Sequence, residues 1–202
     1  TATMNLAISN IAWPPEREAQ AADLLQSAGI RGVEIAPTAI WPRPLEAPTA
    51  AIDAYRERWL QRGVRIVATQ ALLFGQPDLL VLADDATRRR TADYLVGMAQ
   101  LSARLGARAM VFGSPRNRRR GDVPMDAAMD VAETFFRPLA MAVADLGTCV
   151  CIEGNAPAYG CDFLTTTAEA AELVRRVDHP GVRLQLDTST MTMNDEDCER
   201  AI

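Results

Sequence analysis

Val182-Arg183-Leu184-Gln185-Leu186-Asp187 alternates apolar and polar residues without a break. An extended chain turns successive side chains to opposite faces, so Val182, Leu184 and Leu186 share one face and Arg183, Gln185 and Asp187 the other. Cys149–Glu153 reads the same way, with Cys149, Cys151 and Glu153 opposing Val150 and Ile152. In Gly32–Ala36, Glu34 opposes Val33 and Ile35. A doubly wound sheet is covered by helices on both faces, and its strands read as continuous apolar runs. These three strands do not. Their alternation predicts a parallel barrel, with apolar faces against an outer ring of helices and polar faces lining an interior that encloses a site.

The rest of the chain supports that reading. Strand-like runs recur at Met4–Ser9, Gly32–Ala36, Val64–Gln70, Ala107–Gly113, Thr148–Glu153 and Val182–Asp187. Helical patterns fill the gaps at Glu16–Ala28, Ala50–Arg62, Ala86–Leu105, Asp126–Leu146 and Ala168–Val177. Glycine follows most of these helices, at 29, 63, 106 and 147, where the left-handed cap carries no Cβ penalty. Such βα alternation means a parallel sheet. The first strand runs into Ser9-Asn10-Ile11-Ala12-Trp13-Pro14 rather than a Gly-x-Gly-x-x-Gly turn, which disfavours a dinucleotide-binding fold. The predicted class is therefore α/β, a (β/α)8 TIM barrel. Six units in 202 residues come to about 34 each, and eight would need roughly 270, within the usual barrel range. The expectation is one barrel domain over 1–202, covering about six of eight βα units and incomplete at its C-terminus, with Ile202 inside the helix after strand six.

Composition narrows the function. With 49% hydrophobic and 23% charged residues, the chain is too apolar for disorder, and its apolar runs are too short for a membrane protein. A net charge of −5 argues against a nucleic-acid partner. Thr1–Ser9 shows no basic region or cleavage pattern, and the four cysteines form no disulfide framework, so a reduced, cytoplasmic protein is expected.

Active sites of parallel barrels lie at the C-terminal ends of the strands. Those positions hold Asn10, Trp13, Gln70, Ser114, Glu153 and Asp187. Carboxylates at the ends of neighbouring strands can share a cation, which relieves their repulsion. Acids there also cap the following helix, and the spacing leaves both readings open.

Ile152-Glu153-Gly154-Asn155-Ala156-Pro157, Tyr159–Thr166 and Leu186-Asp187-Thr188, with Gly32-Val33-Glu34 and Phe112-Gly113-Ser114, resemble the sugar phosphate isomerase/epimerase family. This belongs to the xylose isomerase-like barrel superfamily, which also holds ketose 3-epimerases, inosose dehydratase and endonuclease IV. The resemblance implies a divalent metal, Mn²⁺ or Mg²⁺ before Co²⁺ or Zn²⁺, held by four side chains from strands five to eight. Glu153 and Asp187 match the ligands of strands five and six. The strand-seven histidine (or other polar residue) and the strand-eight glutamate have no counterpart here, so weak or absent metal is expected of this chain alone. The implied reaction is metal-assisted proton transfer beside the carbonyl of a ketose or sugar phosphate, with Glu153 as both ligand and acid/base.

Residues expected on the substrate side are Trp13, Glu34, Gln70, Ser114, Arg116, Asn155, Gln185 and Thr190. Thr190 stands where the family often has histidine, and a hydroxyl does not titrate near neutral pH. Gln70 and Ser114 stand where endonuclease IV has histidine ligands, which argues against a three-zinc nuclease. The other readings are a dehydratase or lyase on a polyol-derived ketone, an endonuclease IV-like repair nuclease, and a non-catalytic binding relative. The expected partner is a small sugar or sugar phosphate, with no nucleic acid and no membrane; the resemblance also allows a homo-oligomer.

Some features have plainer readings. His179 sits in a surface turn, and Cys149 and Cys151 read as inert interior thiols. Glu34 has an internal ion pair with Arg183 as its alternative. Arg116–Arg120 reads as a solvated loop, or as guanidinium groups on the catalytic rim that grip an anion. Arg88–Arg90 reads as surface, Trp13 and Phe74 as pocket walls or loop packing, and Thr167 as the N-cap of helix five.

Overall fold

The computed structural model describes residues 5–201. Met4, where the first strand was expected to begin, the first residues of the leader reading, and Ile202 lie outside them. Six strands form one sheet in sequence order: β1 (Ala7–Ser9), β2 (Gly32–Ile35), β3 (Arg65–Thr69), β4 (Ala109–Phe112), β5 (Cys149–Glu153) and β6 (Val182–Gln185). Every neighbouring pair is parallel. Helices α1 (Glu18–Ser27), α2 (Thr49–Leu60), α3 (Asp85–Leu105), α4 (Met125–Asp145) and α5 (Thr167–Val177) each return the chain to the next strand. Two short helices, α6 (Thr188–Met193) and α7 (Cys198–Ala201), follow β6. Consecutive parallel order with one crossover helix per step is barrel topology.

Side chains divide between the faces as the alternation predicts. Val33, Ile35, Val150, Ile152 and Val182 are buried under the helices, while Glu34, Cys149, Glu153 and Gln185 are only half-buried and Arg183 is exposed. The helix side is closed by α3 and α4, where Phe136 stands edge-on to Phe112 and Phe135 at centroid distances of 5.3 and 5.0 Å.

β3 departs from simple alternation. The β2–β3 register slips, pairing Val33 with Ile66 but Glu34 with Ala68, so Val67 is an extra residue. Such a bulge resets which face follows. Ile66 and Thr69 are both buried, and Thr69 Oγ1 bonds Ser102 Oγ of α3 at 2.8 Å. β6 is two residues shorter than expected because Asp187 caps α6, its Oδ1 accepting from Ser189 N at 3.0 Å. Thr166, not Thr167, caps α5: its hydroxyl accepts from Glu169 N, which makes Thr167 the first helical residue. Gly106 ends α3 at φ +89°, a conformation in which a Cβ would strain the backbone.

Candidate active site

Glu153 ends β5 with its side chain laid against Gly113, the residue after β4. A Cβ built on Gly113 would stand 2.4 Å from Glu153 Oε1 and 3.0 Å from Asn155 Oδ1, so only glycine leaves room for the carboxylate. Asn155 Nδ2 donates to Glu153 Oε1 at 3.1 Å. Asn155 is itself held: its Oδ1 accepts from Arg118 Nη2 at 2.8 Å, and its backbone N–H donates to Leu164 O at 3.0 Å. Arg118 Nη1 donates to the Glu153 carbonyl at 2.9 Å, and Nη2 reaches Leu164 O at 3.2 Å. Arg118, 1% exposed, thus fixes both the backbone of Glu153 and the amide that steadies its side chain.

Sequence reasoning missed this arginine. It pointed to Arg116 in the same run, which is exposed and makes no polar contact among the described residues. Pro115 starts a tight turn over Pro115–Arg118, which carries Asn117 and Arg118 inward and leaves Arg116 and Arg119 outside. Arg120 is also committed to the protein, since its N–H and Nε donate to Asp162 Oδ1 and O at 2.9 Å each. A solvated loop describes Arg116 and Arg119 but not Arg118. The proline was the one signal that the run turns; which arginine it buries depends on the acceptors waiting below.

Asp187 stands at the end of β6, beside Glu153. Its Oδ2 accepts from Thr190 Oγ1 at 2.8 Å, and the same hydroxyl accepts from Ala156 N at 3.3 Å. Thr190, 1% exposed, therefore ties Asp187 to the loop after β5. Thr190→Val keeps the shape but strands a buried N–H and a carboxylate oxygen. We expect it to lower stability by about 1–3 kcal/mol in urea unfolding, with Thr190→Ser restoring most of the loss. An unchanged midpoint would remove this role.

Burial raises the carboxyl pKa of Glu153 above the usual glutamate value, the Asn155 hydrogen bond opposes the rise, and the Asp187 charge adds to it. Glu34, turned inward from β2, is likewise raised, first by burial and then by the Glu153 charge. Glu153 on β5 thus stands within the fields of both neighbouring carboxylates, raising Glu34 on β2 and being raised by Asp187 after β6. Glu34 has no hydrogen-bond or ion-pair partner among the described residues, and Arg183 donates instead to Pro180 O at 3.2 Å. A carboxyl whose folded pKa lies above its unfolded value favours the fold below the unfolded value, and that contribution is lost as pH rises through the folded one. Glu34→Gln should therefore melt higher than the parent at pH 7, with the gap shrinking toward pH 4. A gap that widens on acidification would reverse the sign.

Gln70 Nε2 donates to Ser9 Oγ, linking the ends of β3 and β1. Ser114 holds a left-handed conformation at φ +46° as the turn begins. Gln185 is half-buried on β6, beside Glu153 in the sheet register. Trp13 lines a cleft of ≈ 200 Å³ with Asn10, Ile40, Tyr55 and Arg58, and packs on Trp59 at 6.2 Å between centroids. Phe74 is 71% exposed. His179 lies at the opposite end, where its Nδ1 accepts from Gly181 N at 3.1 Å.

As metal donors, Glu153 and Asp187 offer hard carboxylate oxygens, which suit Mg²⁺ or Mn²⁺ in kind. Among the described residues no group of three or more His, Cys, Asp or Glu side chains is placed to hold an ion. No helix among those residues is long and apolar enough to cross a membrane.

Searched by sequence, the chain matches none of the curated proteins. Its fold is similar to that of a D-psicose 3-epimerase crystallised with D-fructose, with TM-score 0.80 and 18% identity over 98% of this chain and 68% of that one. It is also similar to a 3-keto-D-glucoside 4-epimerase from E. coli (TM-score 0.73, 16% identity, 98% and 74% covered). An AP endonuclease of family 2 from Brucella melitensis is comparable (TM-score 0.72, 20% identity, 98% and 74% covered). At these identities the likeness establishes the barrel and not the reaction. The family model for xylose isomerase-like TIM barrels matches residues 22–201, nearly the whole chain, and the chain belongs to that family.

Proposed function

We propose that this chain carries the proton-transfer carboxylate of a sugar isomerase or epimerase, acting beside the carbonyl of a ketose or sugar phosphate. The observation that carries the reading is Glu153: inward, seated on Gly113, held at one oxygen by Asn155, with its proton affinity raised by burial. A general base works best when its pKa approaches the working pH, and a glutamate reaches that range by burial of this kind. Because Asn155 occupies Oε1, Oε2 is the oxygen left to take a proton from the carbon next to a carbonyl. A divalent cation held by Glu153 and Asp187 would supply Lewis-acid polarisation of that carbonyl. Asp187, fixed by Ser189 N and Thr190 Oγ1, keeps its carboxylate aimed beside Glu153. Inversion at carbon needs a second acid/base on the opposite face, which the resemblance assigns to a strand-eight glutamate. Epimerases among the structures of like fold support the substrate class.

The test is a panel of ketoses and their phosphates, with Mn²⁺ in D₂O, on a protein that carries this sequence within all eight βα units. Deuterium should enter at the carbon next to the carbonyl of at least one sugar. No incorporation from any of them would sink the reading.

A further inference from the structure

Cys149 and Cys151 face the same side of β5 and touch, with their Sγ atoms 3.7 Å apart. Their cross-strand neighbours favour the contact. On β4, Ala109 pairs with Cys149 and Val111 with Cys151, neither large enough to wedge the thiols apart. On β6, Arg183 pairs with Cys151, and its positive charge acts on both thiols. Cys151 is 7% exposed while Cys149, at the open N-terminal end of the strand, is only half-buried. The contact and the half-burial of Cys149 set these thiols apart from the inert interior thiols that the sequence suggests.

We infer that Cys149 and Cys151 form a reversible dithiol–disulfide site, oxidised by hydroperoxides and reopened by dithiol reductants. The hydrogen bond from Cys151 and the Arg183 charge together lower the Cys149 thiol to about 7 against the effect of burial. Cys149 is therefore the attacking sulfur; when protonated it donates to Arg108 O at 3.4 Å. The Cys149 thiolate attacks one peroxide oxygen, the O–O bond breaks, and Cys149 sulfenic acid and hydroxide form. Cys151 sulfur then attacks the sulfenic sulfur, expelling the second oxygen. The Cys151 proton leaves with the sulfenic oxygen as water, and the proton that Cys149 lost on ionising neutralises the hydroxide or alkoxide from the first step, so two thiols and one hydroperoxide give one disulfide, water and an alcohol (or, from hydrogen peroxide, a second water). Two electrons pass from sulfur to peroxide.

The strand sets how tightly the bond is held. Residues two apart on an extended strand have Cα atoms about 6.4–6.8 Å apart, the upper limit of the disulfide range. Closing the bond must contract β5 just before Glu153. A disulfide formed under such strain is easily reduced, which makes it a switchable modification rather than a structural bridge. The inference does not depend on the proposed reaction at Glu153.

The experiment treats the chain with stoichiometric hydrogen peroxide, then unfolds and alkylates it. The intact mass before alkylation should fall by about 2 Da, and titratable thiols should drop from four to about two, both reversed by dithiothreitol. Peptide mapping should find Cys161 and Cys198 alkylated and Cys149 linked to Cys151, a readout that needs no variant. Cys149→Ser and Cys151→Ser should each abolish the loss of mass, while Cys161→Ser and Cys198→Ser keep it. A link through Cys161 or Cys198, oxygen addition to Cys149 without closure, or no change at all would overturn the inference.

Discussion

Glu153→Gln, in a protein carrying this sequence within all eight βα units, should lower turnover about 10²–10⁴-fold, the usual worth of a general acid or base. The substitution is close to isosteric. A glutamine Oε1 still accepts from Asn155 Nδ2 and still fits against Gly113, so the surrounding structure has no reason to move. What it removes is the carboxylate that takes the proton. Because burial disfavours the charged form of Glu153 in the fold, the variant should be as stable as the parent at neutral pH or slightly more so. Turnover and melting temperature measured on one preparation separate the two effects. Normal turnover would show that Glu153 does not move the proton, and lost turnover with a collapsed melting temperature would show a structural role instead.

The largest expected effect on stability comes from Arg118→Met. The side-chain volume is nearly kept, but the Glu153 carbonyl, the Asn155 amide oxygen and the Leu164 carbonyl all lose a charged donor in a buried place. Breaking a buried charged network of this kind costs about 3–5 kcal/mol. For a chain of this size each kcal/mol lowers the melting temperature by roughly 2–4 °C, so a drop on the order of 10 °C is expected. Arg118→Lys should recover only part of it, since one ammonium cannot reproduce the planar fork that serves three acceptors at once. A loss below about 1 kcal/mol would mean that the acceptors find other donors and that Arg118 is replaceable.

The two predictions differ in how visible their residues are in the sequence. Glu153 and Asp187 stand out because strand alternation is local: a two-residue period says which face a side chain takes, and a carboxylate on the inner face at a strand end is conspicuous. Thr190 is named by its distance from Asp187, but its role is tertiary, since the hydroxyl serves Asp187 and a backbone N–H 34 residues away. Arg118 and Gly113 carry no local signal. Nothing in a run of arginines says which one meets a ring of buried acceptors contributed by Glu153, Asn155 and Leu164, residues 35 to 46 positions away.

The residues alone are enough for the parallel barrel architecture, the order of its six units, the inner faces of β2, β5 and β6 and the two strand-end carboxylates. All of these follow from short-range rules of alternation, helical period and chain termination. It takes the folded molecule to show that β3 bulges and turns Thr69 to the helices, that Asp187 both caps α6 and stands beside Glu153, that Glu34 has no ion-pair partner among the described residues, and that two cysteines touch. Those outcomes depend on distances between strands and loops far apart in the chain, where packing and the satisfaction of buried polar groups, rather than local propensity, select the conformation.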